Sequence, residues 1–202
     1  MDKEKRTIIF ATQNEGKMRE IREILSGLDA EILSLKQAGI QADIDENGTT
    51  FEENAIIKAK AISAMTGKTV LADDSGLVID ALNGEPGIYS ARYMGETTDY
   101  HTKNNNLIER LAGVPDEKRT ARFVCAVAAA FPDGTVKTAH GTMEGRIGYE
   151  EAGENGFGYD PIFFLPEYGC TSAEIDMEEK DRISHRGKAL RAILKYLQTP
   201  GR

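Results

Sequence analysis

The residues from Thr7 to Ala11 form a short apolar run that stops at the polar turn Thr12-Gln13-Asn14. A brief apolar run between polar boundaries reads as a buried strand. Met18, Ile21, Leu25 and Leu28 then recur at helical spacing, with Arg19, Glu20, Arg22 and Glu23 on the other side, which predicts an amphipathic helix. Glu31 to Leu35 reads as a second strand. Strand, turn, helix and strand in that order open an α/β layered fold.

The segment from Gln41 to Thr50 is acidic and glycine-bearing, the signature of a loop. It ends in Thr50-Phe51-Glu52-Glu53, a capping box, so a helix should run from there to about Met65 and stop at Gly67. Phe51, Ala55, Ala59 and Ile62 supply its buried face. Thr69 to Ala72 predicts a strand leading straight into Asp73-Asp74-Ser75-Gly76. Asn83 to Gly87 is a turn cluster. Thr98 to Leu111 predicts a helix, with Tyr100, Leu107, Ile108 and Leu111 on one side.

Arg122–Phe131 and Thr135–Thr142 flank Pro132-Asp133-Gly134, a hairpin signal. A glycine-rich loop, Gly153 to Asp160, precedes a short strand from Ile162 to Leu165. The last predicted helix is Gly187 to Leu197, capped by Ser184. No repeat, low-complexity segment or linker interrupts the 202 residues, which predicts a single domain over 1–202.

Composition narrows the function classes. Hydrophobic residues at 40% and charged ones at 29% are those of a globular protein. The net charge of −8 and the lack of a strongly basic stretch argue against nucleic acid as the main partner. An acidic protein can still take a phosphorylated small molecule with a divalent cation. Cys125 and Cys170 have no neighbouring ligand-type residue, which predicts free thiols in a reducing compartment. His101, His140 and His185 are too scattered for a zinc motif, and the first two read as structural or solvated. The apolar run near the N-terminus is too short for a signal peptide or a membrane span, so the expectation is a cytoplasmic protein without membrane contact.

Four segments carry chemistry. Thr12-Gln13-Asn14-Glu15-Gly16-Lys17 follows a strand and opens a helix, where free N–H groups and the helix dipole favour an anion. Lys17 adds a point charge and Asn14 a hydrogen-bonding amide. The pattern is not a P-loop, since Phe10 and Met18 occupy two of its required positions. The plain alternative is a turn with a solvated lysine.

Asp73-Asp74 at the end of an apolar strand suits Mg²⁺, which favours one or two carboxylates plus substrate phosphates; a helix cap would need only one aspartate. The acidic loop Asp43-Ile44-Asp45-Glu46 precedes a helix on which Asn54 and Lys58, four apart, share a face and can touch one ligand. Lys60 points away. Finally, Asn155 to Asp160 holds an aromatic residue between glycines, which suits a planar ring stacking on Phe157 or Tyr159. Lys180 and Ser184-His185-Arg186 follow it with further donors. A core aromatic and a helix cap with a surface arginine are the bland readings of that last group.

Five segments in order, ATQNEGKMREI, TTFEENAIIKAKA, LADDSGLVIDALNGEPGIYSARYMG, GFGYDPIFFLPEYG and EEKDRISHRGKAL, resemble the inosine/xanthosine triphosphate pyrophosphatase family from Ile8 to about Leu194. The resemblance implies an elongated, two-lobed α/β mixed-sheet fold and a homodimer. It also implies hydrolysis of ITP, dITP or XTP to the monophosphate and pyrophosphate with Mg²⁺, cleansing the nucleotide pool. Carried over by position, Thr12, Gln13, Asn14, Glu15, Gly16 and Lys17 would hold phosphates. Asp74 would be general base and metal ligand, and Ser75 would contact substrate. Phe157, Gly158, Tyr159, Asp160, Lys180, His185 and Arg186 would bind the nucleotide, chiefly its base. The second metal ligand falls on Asp45 or on Glu46. Gln13 stands where many relatives have glycine.

On this reading Asn14 to Lys17 and Lys58 neutralise the triphosphate. Asp74 activates water for attack on the α-phosphorus. His185 or Arg186 donates to the 6-carbonyl that hypoxanthine and xanthine have and adenine lacks. The rivals are a pyrophosphatase for modified pyrimidines or other damaged nucleotides, and a nucleotide sensor without turnover.

Overall fold

The computed structural model describes residues 6–198; the outermost residues of the expected 1–202 domain lie outside them. Among the described residues, seven strands form one mixed sheet in the order β2-β1-β3-β4-β5-β6-β7. They are β1 (Thr7–Phe10), β2 (Glu31–Ser34), β3 (Thr69–Ile79), β4 (Thr120–Ala130), β5 (Val136–Ile147), β6 (Phe163–Leu165) and β7 (Cys170–Thr171). β1 runs parallel to β2 and β3, whereas β6 is antiparallel to β5 and β7. The α/β expectation with a mixed sheet therefore holds. Among the described residues, five α-helices accompany the sheet: α1 (Glu15–Ile24), α2 (Phe51–Thr66), α3 (Tyr100–Arg110), α4 (Met177–Ile183) and α5 (His185–Leu197).

The chain divides into two compact units. The first comprises the residues up to Asp74, Cys125–Gly141 and the residues from Arg186 on. In it, strand periodicity sends alternate side chains to two separate cores. Ile8, Phe10 and Leu71 pack with Met18 and Ile21 of α1 and with Leu190 and Ile193 of α5. Ile9, Val70 and Ala72 pack instead with Ala55, Ala59 and Ile62 of α2. The second unit, Ser75–Val124 with Thr142–His185, has its own core of Leu77, Ile79, Leu107, Leu111, Phe123, Ile147 and Phe163. Among the described residues no helix is long and apolar enough to cross a membrane. Both cysteines are free thiols, and burial pushes that of Cys125 up to about 12.

Helix boundaries follow local chemistry. α1 begins earlier than its apolar stripe, because Asn14 caps it by accepting from Lys17 N–H at 3.1 Å. Thr50 caps α2 by accepting from Glu53 N–H, and Gly67 ends it at φ +63. The Glu53 carboxylate completes the box one residue early, taking Thr49 N–H at 2.6 Å.

Two expectations change. β3 does not stop at Ala72 but continues to Ile79, with Leu77 and Ile79 fully buried, so Asp73 and Asp74 lie inside a strand. The segment before Ser184 is helical as α4, capped by Asp176 through Glu179 N–H at 2.8 Å. Ser184 closes α4, and α5 starts at His185, two residues before Gly187.

Candidate active site

Alternation along β3 places Asp73 on the face that carries Leu71 and Asp74 on the face that carries Val70 and Ala72. Asp73 therefore meets α1 and α5. Its carboxylate is 1% exposed and lies 3.2 Å from Lys17 Nζ and 3.7 Å from Arg186 Nε. Burial alone would raise its pKa; Lys17 and Arg186, with Lys58 farther off, outweigh burial and hold it well below the ordinary carboxylate range. Arg186 in turn donates to Glu20 Oε2 at 2.5 Å, both residues being buried. Glu20 and Lys17 are three apart on α1, so Lys17, Asp73, Arg186 and Glu20 alternate in charge.

Asp74 meets α2 instead. Asn54 Nδ2 donates to its Oδ2 at 3.0 Å, and Asn54 Oδ1 accepts Gly48 N–H at 2.8 Å. The two bonds fix which end of the Asn54 amide faces Asp74. Gly48 permits this approach, since a Cβ there would stand 2.7 Å from Asn54 Oδ1. Lys58, one turn after Asn54, pairs with Glu46 at 3.2 Å. Burial raises the Asp74 pKa; Lys58 and the Asn54 bond oppose that rise, while Glu46 and Asp73 add to it. Of the two loop candidates, Glu46 is half-buried beside these groups, whereas Asp45 is exposed.

The turn keeps Gln13, Asn14, Glu15 and Gly16 exposed, with Thr12 and Lys17 half-buried. Thr12 Oγ1 accepts Asn14 N–H at 3.1 Å. Gln13 also lines a cavity of about 330 Å³ with Lys36, Gly39, Ile40 and Gln41. Lys60 is exposed, as expected from its helix position.

The second unit holds the aromatic loop. Phe157 is 36% exposed, while Tyr159 is buried, donating its hydroxyl to Ser90 O at 2.6 Å. The choice left open between them thus falls on Phe157 as the ring a ligand could reach. Asp160 and Lys180 are both buried and pair at 2.7 Å. Asp160 Oδ2 also accepts Phe157 N–H at 2.9 Å, and its Oδ1 accepts the Ser172 hydroxyl at 2.7 Å. These bonds brace the loop from within. Gly156, at φ +73, is required here, because a Cβ would sit 2.2 Å from Asp160 Oδ2. The Lys180 ammonium lies 5.2 Å from the Phe157 ring centre. His185 is buried and stacked on Phe123 at 4.9 Å, and Ser75 is half-buried in β3. His101 and His140 are exposed, each against a carboxylate, Glu151 and Glu52.

Sequence reading passed over Glu20, Gly48 and Ser172. Glu20 looked like part of a solvated helix face, and no spacing rule announces a glycine or a serine that supports another side chain.

Compared with known protein families, the chain matches the Ham1 family over residues 8–196. This chain belongs to the Ham1 family. A protein of Desulforamulus reducens named dITP/XTP pyrophosphatase is 48% identical over 190 residues, 94% of each chain. One of the same name from Exiguobacterium sibiricum is 48% identical over 95% of this chain and 97% of its own. Among solved structures, a HAM1 protein from Coxiella burnetii superposes with a TM-score of 0.87 at 41% identity, covering 96% of this chain and 100% of its own. The Staphylococcus aureus Ham1 protein gives 0.86 at 41% identity, covering 96% and 98%.

Proposed function

We propose that this Ham1 protein hydrolyses the non-standard purine nucleoside triphosphates dITP, ITP and XTP to the monophosphate and pyrophosphate, and so cleanses the nucleotide pool. The observation that carries the reading is Asp74: a carboxylate with a raised pKa, oriented by Asn54 and set beside Lys58 and Glu46. A carboxyl tuned upward is suited to accept a proton from water. The names of the relatives, dITP/XTP pyrophosphatase, support the substrate class.

In this reading the backbone N–H groups at the start of α1, with Asn14, Lys17 and Lys58, take the triphosphate oxygens. The remaining turn residues, Thr12, Gln13, Glu15 and Gly16, shape that cradle, and Ser75 touches the substrate beside Asp74. Asp74 orients and deprotonates the water that attacks the α-phosphorus, and pyrophosphate leaves.

Asp74 and Glu46 would hold Mg²⁺. Among the described residues no three His, Cys, Asp or Glu side chains gather as a metal cluster. Two carboxylates suffice, because Mg²⁺ keeps waters and takes substrate phosphates as its other ligands. The strain of their mutual repulsion and the burial of Asp74 fit a cation there. Bound Mg²⁺ would supply positive charge for the phosphate oxygens and the leaving pyrophosphate.

In the second unit Phe157 stacks on the purine, with Gly158 and Tyr159 shaping the loop and the Asp160–Lys180 pair holding it. His185 and Arg186 donate to the 6-carbonyl, which rejects adenine by setting donor against donor. The active form is a cytoplasmic homodimer.

Pyrophosphate release with Mg²⁺ from ITP, XTP and dITP, in parallel with ATP, GTP and dTTP, tests the reading. Turnover of the first three well above the rest is expected. Equal or absent turnover would overturn it, and pyrimidine turnover would favour a damaged-pyrimidine substrate. An unchanged ITP to ATP ratio in both His185→Ala and Arg186→Ala would remove these two residues from recognition.

A further inference from the structure

We infer that Asn104 of α3 is a positioning residue for base recognition: its amide holds the Phe157–Tyr159 loop in the conformation that presents the Phe157 ring. This rests on the proposed role of Phe157 as the stacking surface.

Asn104 is 1% exposed, and so does not itself meet a ligand from solvent. Its Nδ2 donates to Gly158 O at 3.2 Å and to Glu151 Oε1 at 2.7 Å. Its Oδ1 is buried and accepts no hydrogen bond among the described residues. Exchanging the two ends of the amide would press that oxygen against a carbonyl and a carboxylate, so the donors define its orientation. Buried acceptors without partners are rare, because water is lost and nothing replaces it. A residue placed for packing alone would not bring such an atom into the interior. What Asn104 contributes is its pair of N–H groups.

Those donors meet the loop at the carbonyl of Gly158. Gly158 follows Phe157, carries no side chain and adopts φ +67. Tyr100, one turn before Asn104 on the same face of α3, lies against it: a Cβ on Gly158 would stand 3.5 Å from the Tyr100 ring. The Tyr100 ring also meets Tyr159 edge-on at 5.2 Å. On the other side, Asp160 takes Phe157 N–H at 2.9 Å. The backbone is thus held at the N–H of 157 and at the carbonyl of 158, while Phe157 itself is 36% exposed and its neighbour Tyr159 is buried. Loss of the Asn104 donors frees the carbonyl side, and the ring must then be ordered by the ligand at a cost in affinity.

The test compares Asn104→Asp, Asn104→Ala and Phe157→Ala by steady-state kinetics on dITP with Mg²⁺, with thermal melting as a folding control. Asn104→Asp keeps the shape and turns a donor into an acceptor facing Glu151 and Gly158 O. The expected result is a rise in KM of about tenfold in both Asn104 variants, with kcat within about twofold, since the bond supports binding and not the reacting atoms. Phe157→Ala should raise KM at least as much.

If Phe157→Ala raises KM and the folded Asn104 variants do not, Asn104 is structural only and the inference fails. A loss of kcat at unchanged KM in those variants has the same meaning. If Phe157→Ala leaves KM unchanged, the stacking assignment itself is wrong, and the role of Asn104 falls with it. Should both Asn104 variants fail to fold, Tyr100→Leu probes the neighbouring support of the same loop. A KM rise there sustains the inference, and an unchanged KM ends it.

Discussion

Asp73 and Asp74 are consecutive in the chain and serve opposite faces of β3: Asp73 lies 3.2 Å from Lys17 of α1, and Asp74 accepts from Asn54 of α2 at 3.0 Å. One carboxylate is buried among cations and locked in its charged form. The other is kept short of compensating charge, with a raised pKa. Identical side chains thereby acquire different chemistry from the pleat of one strand.

The raised pKa of Asp74 means that ionising it costs more in the folded chain than in the unfolded one. Its charged form therefore opposes folding above that pKa, and the penalty disappears as the pH falls through it. Asp74→Asn should abolish pyrophosphate release and raise the melting temperature at pH 7 by about 1–3 °C in the absence of Mg²⁺. Melting curves at pH 7 and pH 4 check the sign: the gain should shrink at the lower pH. Near-normal turnover in this variant would remove Asp74 from the chemistry.

Asp73 works in the other direction. Its lowered pKa contributes stability that is complete above the ordinary carboxyl range, near pH 4, and is lost as the pH falls further toward the folded value. Asp73→Asn leaves buried Arg186 and half-buried Lys17 short of charge compensation. It should cost about 3–5 kcal/mol at pH 7, read by urea unfolding, with a smaller difference from the parent below pH 4.

Gly48→Ala tests the support of Asn54. The added Cβ would stand 2.7 Å from both Asn54 Oδ1 and Glu53 Cβ, so the Asn54 amide must move away from Asp74. A displacement of that kind should lower kcat roughly 10- to 100-fold while far-ultraviolet circular dichroism stays that of the parent. An unchanged kcat would show that the orientation of Asn54 does not matter to turnover.

On the proposed Mg²⁺ site, the two loop acids should separate by metal dependence. Glu46 pairs with Lys58 and raises the Asp74 pKa; Asp45 points to solvent. Glu46→Gln should raise the Mg²⁺ concentration for half-maximal activity by roughly tenfold, and Asp45→Asn should leave it unchanged. The opposite pattern would transfer the ligand to Asp45.

Legibility in the sequence varied with the range of the forces involved. α2 was readable almost to the residue, because Thr50 and Gly67 act on their own neighbours within one turn. α4 was passed over, since Met177–Ile183 is too short for an apolar stripe; its one signal was Asp176 three residues before Glu179. The end of β3 was misplaced because two aspartates look like a strand terminus when the cations that receive one of them are remote in the chain.

By itself, the sequence determined the α/β class, the early strand–turn–helix–strand order, the polar turn at the start of α1 and the candidate side chains of the site. Those follow from periodicity, capping and residue chemistry, all set within a few residues. Only the tertiary structure decided that Asp73 is neutralised and Asp74 is not. It alone chose Phe157 over Tyr159 as the exposed ring, tied Arg186 to Glu20, and set the Asn104 donors on the loop. Exposure, pairing and pKa depend on which distant residues share a volume, and Glu20 and Arg186 are 166 positions apart before folding brings their charges to 2.5 Å.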